Sequence, residues 1–268
     1  MDVPLPLPRQ IEDNPMTDSS LPPSSGPTQG IGIVGLWDGM STVRYFGSVL
    51  GAKALRLDRV AAISHADCDT YIVVDPRMDT PAALRDARGT TIAIMIDVHQ
   101  QLSFRLAYAR YFDHVFIAQP DYLDAFKALG HPSVHALPLG CDPAVHFVPD
   151  LVRDIDVGFI GKYGTPGSER EQTLRSVLST FQTNDINRSY PPSEMGEVYS
   201  RSKIVFNKSI NGDLNMRFFE GLASGALLVT DRIANGLSEA AREGEHYVGY
   251  DTPDEAIEKI QYYLANEE

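Results

Sequence analysis

Residues 203–231, "KIVFNKSINGDLNMRFFEGLASGALLVTD", read as strand, loop, helix and strand. "KIVFN" and "ALLVTD" are short β-branched or aliphatic runs, and "NMRFFEGLASG" between them spaces its apolar residues at a helical period. A strand that returns through a helix to a second strand is the unit of a parallel sheet. The pattern continues on both sides. Strand "IDVGFIG" and helices "SEREQTLRSVLSTF" and "PSEMGEVYSRS" precede the stretch, and strand "HYVGY" and helix "TPDEAIEKIQYYLANEE" follow it.

Upstream, "GIGIVGLW", "TYIVVD", "TTIAIMID", "HVFIAQ" and "VHALPLG" read as buried strands, with helices "TPAALRDAR" and "DYLDAFKALG" among them. Near-continuous apolar strands of this kind belong to a sheet covered on both faces. The Pro-rich segment near residues 138–150 predicts a boundary, giving domains at 30–145 and 146–268. Residues 1–29, rich in Pro, Ser and acidic side chains, hold too little apolar surface to offset the entropy of ordering and read as a disordered tail. The expected fold class is α/β, two doubly wound Rossmann-like domains facing a crevice. Ligands in such sheets bind beyond the carboxyl ends of the strands.

The 268 residues are 43% hydrophobic and 22% charged, enough for genuine cores, with a net charge of -13. That balance argues against a nucleic-acid partner, which normally requires a basic face. No run approaches the roughly 18 apolar residues of a membrane span, and the start carries no secretory pattern. Cys68 and Cys141 lie far apart without a metal-ligand spacing, which fits two reduced thiols and a cytoplasmic location. On that reading the sequons at Asn187 and Asn207 are chance matches.

Several motifs invite chemistry. Gly30–Gly35 match GxGxxG, with Asp58 further on, yet these glycines sit inside the first strand instead of opening a helix, so a dinucleotide fingerprint is disfavoured. "DCD", Asp67 to Asp69, precedes a strand and reads as a loop more readily than as a metal pair. Pro132 between His131 and His135 disfavours the helix that would align both rings, and no metal site is expected. "IMIDVHQQ" sets Asp97 and His99 at a strand's carboxyl end, where His99 is either a structural imidazole or a general base. "FIGKYGTPGSER" ends a strand at Gly161 and Lys162 and leads through a glycine-containing loop to a helix carrying Arg170. Lys162 and that helix start are either surface charge or a phosphate contact.

At roughly 100° per residue, Arg217, Glu220 and Ser224 fall within about 60° of one another on the central helix. An i,i+3 ion pair would contribute only about 0.2–0.5 kcal/mol, and an Arg in a first turn opposes the helix dipole. An anion beyond the helix end reverses that penalty. The preceding "NGD" supplies turn and cap residues, so Arg217 and the first amides can face a diphosphate, with Glu220 one turn deeper accepting hydrogen bonds from ribose hydroxyls.

The run "YSRSKIVFNKSINGDLNMRFFEGLASGALLVTD" resembles the C-terminal half of GT-B glycosyltransferases, in the branch similar to the spore-maturation protein CgeB. "LPLGCDPAVHF", "DIDVGFIG" and "EGEHYVGYDTPDEAIEKIQYYL" support the resemblance, whose central motif is Asn215, Arg217, Glu220 and Gly225. It implies a metal-independent, hexosyltransferase-like enzyme that uses no cofactor. Its donor is a nucleotide sugar held by the second domain, and its acceptor a hydroxyl of a glycan, lipid or protein held by the first. Glu220 would bind ribose; Arg217, Lys162 and Arg170 would neutralise the diphosphate, beside Gly161 and Asn215. His99 would be the catalytic base. Family members continue beyond the segment matching "QYYLANEE", so a non-catalytic nucleotide-sugar or carbohydrate-binding module stands as the alternative.

Overall fold

The computed structural model describes residues 30–35, 37, 42–50, 54–57, 63, 68–76, 84 and 87–267. The tail at 1–29, Asp58, Asp67 and most of the expected helix "TPAALRDAR" lie outside them. By contacts, the described residues divide into two units. The first takes those within Met1–Trp37, Phe46–Ala118 and Tyr122–Leu137; the second takes those within Asp38–Tyr45, Gln119–Asp121 and Pro138–Glu268.

The first unit is built on six parallel strands: β1 (Ile31–Val34), β2 (Ala54–Leu57), β3 (Thr70–Val74), β4 (Thr90–Met95), β5 (His114–Ile117) and β6 (Val134–Ala136). Their order is β2-β1-β3-β4-β5-β6. Chain reversal between β1 and β3 puts the switch of winding direction beside β1, as expected of a doubly wound sheet. Val73, Ala93, Met95, Val115 and Ile117 are buried in one cluster with Tyr108 and Phe126. His131 precedes β6 and His135 lies in it, so the two histidines are not one helical turn apart.

The second unit carries β7 (Ile155–Gly158), β8 (Ser202–Asn207), β9 (Leu227–Asp231) and β10 (Val248–Tyr250), all parallel, in the order β10-β9-β8-β7. Along β8 the side chains alternate between two cores. Ile204 and Phe206 join Phe159, Val229 and Ile260 on one face, while Val205 joins Leu228, Phe218 and Tyr199 on the other. Burial of both faces is why these strands read as unbroken apolar runs. Helix Glu169–Leu178 follows β7, and helix Met216–Ala223 joins β8 to β9, as the opening stretch predicts.

Candidate functional site

The site is assembled in the second unit at the carboxyl ends of β7, β8 and β9. Helix Met216–Ala223 starts there, and its N-cap is Asn215, whose Oδ1 accepts the Phe218 N–H at 3.3 Å. The cap is therefore Asn215 itself, while Asp213 of the expected "NGD" cap is buried before it and accepts the Asn211 N–H. The polar stripe exists, but it points inward. Glu220 is 4% exposed and Ser224 fully buried, whereas Leu222 and Ala223 are half-buried.

Arg217 does not pair with Glu220. Its Nε donates to the Ile160 carbonyl at 2.8 Å, its Nη1 donates to Asn207 Oδ1 at 3.0 Å, and its guanidinium lies 4.6 Å over the Phe159 ring. Every one of these partners is neutral. Arg170, 7% exposed on the helix after β7, donates to the carbonyls of Lys208, Ser209 (3.1 Å) and Lys162 (3.0 Å), tying together the loops that leave β7 and β8. Burial and the neighbouring Arg217 pull its pKa down to about 10, which leaves it cationic at neutral pH. Lys162 is exposed in the loop after β7. None of Lys162, Arg170 and Arg217 forms an ion pair among the described residues. By contrast, Lys208 pairs with Glu169 and Asp231, and Arg232 with Glu243, Asp251 and Glu255.

Arg170, but neither Lys162 nor Arg217, lines a cavity of about 680 Å³ walled also by Gly164, Ser168, Ser209, Asp231 and Asn235, among others. Asp231 fastens its rim, accepting from Ser209 N (2.8 Å) and Ser209 Oγ (2.5 Å). In that wall Asn235 Oδ1 and Arg170 Nε are buried without a hydrogen-bond partner among the described residues.

Glu220 faces the other way. Its Oε1 lies 3.9 Å from Nε2 of the fully buried His146, which meets the Tyr45 hydroxyl at 3.0 Å, all within the second unit. The carboxylate accepts no hydrogen bond among the described residues. Burial pushes its pKa up to about 7, against the pull of Arg217. Burial, then Glu220 and Asp142, raise the Cys141 thiol to about 11, so it stays protonated, and burial lowers the His146 pKa.

His146 ends a one-turn helix, Pro143–His146, that Asp142 caps, and this turn packs on helix Pro192–Arg201 at Gly196. A Cβ on Gly196 would sit 2.1 Å from the Val145 carbonyl oxygen and 3.3 Å from His146 Cα. Backbone meets backbone there, so Gly196→Ala is expected to cost about 1–3 kcal/mol in urea unfolding and to displace His146. A variant as stable as the native chain would show that the turn shifts freely.

His99 lies in the first unit, half-buried in the turn that follows β4, next to Asp97 in the left-handed region at φ 49°. Sequence reasoning missed Asn207, which appeared only as a sequon. It is 3% exposed with its amide fully engaged, so it is no modification site in the folded chain. His146 was missed as well. Its only signal was the Asp-Pro cap four residues before it.

Residues 150–268 match the family described as glycosyl transferase-like. No curated protein matches the sequence. Among solved structures, sucrose-phosphate synthase from Thermosynechococcus elongatus is 9% identical, with 89% of this chain and 90% of that one covered at a TM-score of 0.58. TarM is 10% identical over 75% of this chain and 48% of its own, at 0.53. The pneumococcal O-GlcNAc transferase GtfA, in complex with UDP and GlcNAc, is 9% identical over 84% and 53%, at 0.50. This chain thus spans about half the length of TarM and of GtfA. At such identities the likeness is one of fold, the parallel α/β fold of GT-B glycosyltransferases.

Proposed function

We propose that the chain is a glycosyltransferase that moves a sugar from a nucleotide donor to a hydroxyl acceptor without a metal, in the branch similar to CgeB. Residues 146–268 hold the donor and residues 30–145 the acceptor, a glycan, lipid or protein hydroxyl. One observation carries this reading. In a chain of net charge -13, Lys162, Arg170 and Arg217 gather around the carboxyl ends of two parallel strands without an ion-pair partner among the described residues, beside a buried Glu220 whose carboxylate accepts no hydrogen bond from them.

Each group has a role that its surroundings suit. Lys162, Arg217 and the amides at the Asn215-capped helix start, with Arg170 in the cavity wall and Gly161 at the strand end, receive the diphosphate. Its departure builds negative charge that fixed cations stabilise without reorganising. Glu220, desolvated and without a hydrogen bond from the described residues, accepts hydrogen bonds from the ribose hydroxyls, which return what burial of the carboxylate costs. His99, in the turn after β4, takes the proton of the acceptor hydroxyl as general base.

A thermal-shift panel of nucleoside diphosphates, their sugars and NAD tests the reading. A matching ligand at a hundredfold excess over its Kd stabilises by about 2.7 kcal/mol. Stabilisation by NAD alone would remove the proposal. Donor turnover that survives EDTA and is lost in Glu220→Ala and in Arg217→Ala is expected of the enzyme. A native chain that binds donor but never turns it over is the binding module instead.

A further inference from the structure

We infer that Asn207, the last residue of β8, is the positioning residue that aims the Arg217 guanidinium at an anionic ligand while leaving its charge uncompensated. The inference rests on the nucleoside-diphosphate reading above, to which it adds a residue and a reason for its type.

The orientation of the amide follows from what its neighbours can donate. The Phe218 N–H can only donate, so Asn215 turns Oδ1 toward it and Nδ2 toward Asn207, at 3.2 Å. Guanidinium N–H groups are donors too, so Asn207 must present Oδ1 to both Asn215 and Arg217 Nη1. That leaves Nδ2 to donate to Thr230 Oγ1 on β9 at 3.0 Å. The strand end is pinned independently, because the Tyr250 hydroxyl donates to the Asn207 carbonyl at 2.9 Å, and the Tyr250 ring stacks on Phe206 at 5.3 Å. A single buried amide therefore couples the ends of β8 and β9, the helix cap and the arginine, while the carbonyl of the same residue ties in β10.

Asparagine suits this position better than aspartate. A carboxylate of the same shape would hold Arg217 equally well and would neutralise it, and a paired arginine has little field left for a phosphate. The other partners of Arg217, a carbonyl and an aromatic ring, are neutral as well. The site thus immobilises a cation that forms no ion pair among the described residues.

Titration calorimetry with inorganic pyrophosphate, with uridine, guanosine and adenosine, and with their diphosphates tests this on the full chain. In Asn207→Asp, pyrophosphate and the preferred diphosphate are expected to bind at least about tenfold more weakly, with affinity for the parent nucleoside unchanged and the melting temperature not lowered. Undiminished pyrophosphate binding overturns the inference. So does an equal loss for nucleoside and pyrophosphate, which would mark a merely structural role. If Asn207→Asp does not fold, Thr230→Val removes only the hydroxyl that orients the amide; a severalfold loss confined to phosphate ligands is then expected, and none would overturn the inference. A native chain that binds no diphosphate at all removes the functional reading itself, a result distinct from all of these.

Discussion

Replacing Glu220 by Gln is expected to stabilise the protein above neutral pH and to weaken donor binding in the same variant. The carboxyl, ordinarily titrating near 4.5, is pushed up to about 7 by burial. Between those values the folded chain keeps a proton that the unfolded chain has released, so stability falls as pH rises through the window and is level above it. At pH 8 the folded state therefore carries a destabilisation of about 3 kcal/mol from this group. The Glu220→Gln substitution removes the charge and loses no hydrogen bond that the carboxylate makes with the described residues. The expected gain at pH 8 is a rise in Tm of several degrees, shrinking to nothing near pH 4.5.

Donor affinity should run the opposite way. Ribose hydroxyls donate to the ionised carboxylate, and with a pKa of about 7 the ionised fraction drops roughly tenfold from pH 8 to pH 6. Affinity is expected to fall in proportion, with the Glu220→Gln variant carrying only the ligand's own titration. A destabilised Glu220→Gln, or one whose affinity follows pH as the native chain does, would show that the carboxylate is a structural group. The pairing of a stability gain with a binding loss is the mark of a group held in place for a ligand.

Strand identity in the second unit was legible because its sheet is covered on both faces, which makes each strand a contiguous apolar run and each helix a periodic one. Helix Thr42–Leu50, helix Leu102–Ala109 and β2 escaped the reading. Their sequences, "TVRYFGSVL", "LSFRLAYA" and "ALRL", are short or mix polar residues into the pattern, and tertiary packing decides them. At the site, helical phase alone placed Arg217 and Glu220 on one stripe. It did not show that the two diverge, since that depends on Ile160 and Asn207 for the arginine and on His146 for the glutamate, residues brought close by the fold and not by spacing. The Arg170 reading has the same character. Its place beside the glycine loop was visible in sequence, while its carbonyl contacts across β7 and β8 required the structure.

Gly161→Ala should reproduce much of the binding defect of Arg217→Ala while leaving the fold nearly intact. Gly161 sits at φ 152°, and a Cβ there would lie 2.0 Å from Arg217 Nη2 and 3.0 Å from its Cζ. The obstructed atoms are the far end of a flexible side chain, so the arginine yields and the backbone does not. In swinging out it gives up the Ile160 carbonyl and Asn207 Oδ1, the two contacts that fix its direction. The strained backbone and lost bonds should lower stability by about 1–2 kcal/mol. Removing Arg217 outright is expected to lower turnover roughly a hundredfold to a thousandfold, the scale of losing one fixed group that stabilises developing charge. The double variant decides between mechanisms. If the methyl acts only by displacing the guanidinium, then adding Gly161→Ala to Arg217→Ala costs pyrophosphate affinity nothing further, because the atom it would displace is gone. Additive losses would mean that the glycine contacts the ligand through its own backbone, and that Arg217 is aimed by Asn207 and Ile160 alone.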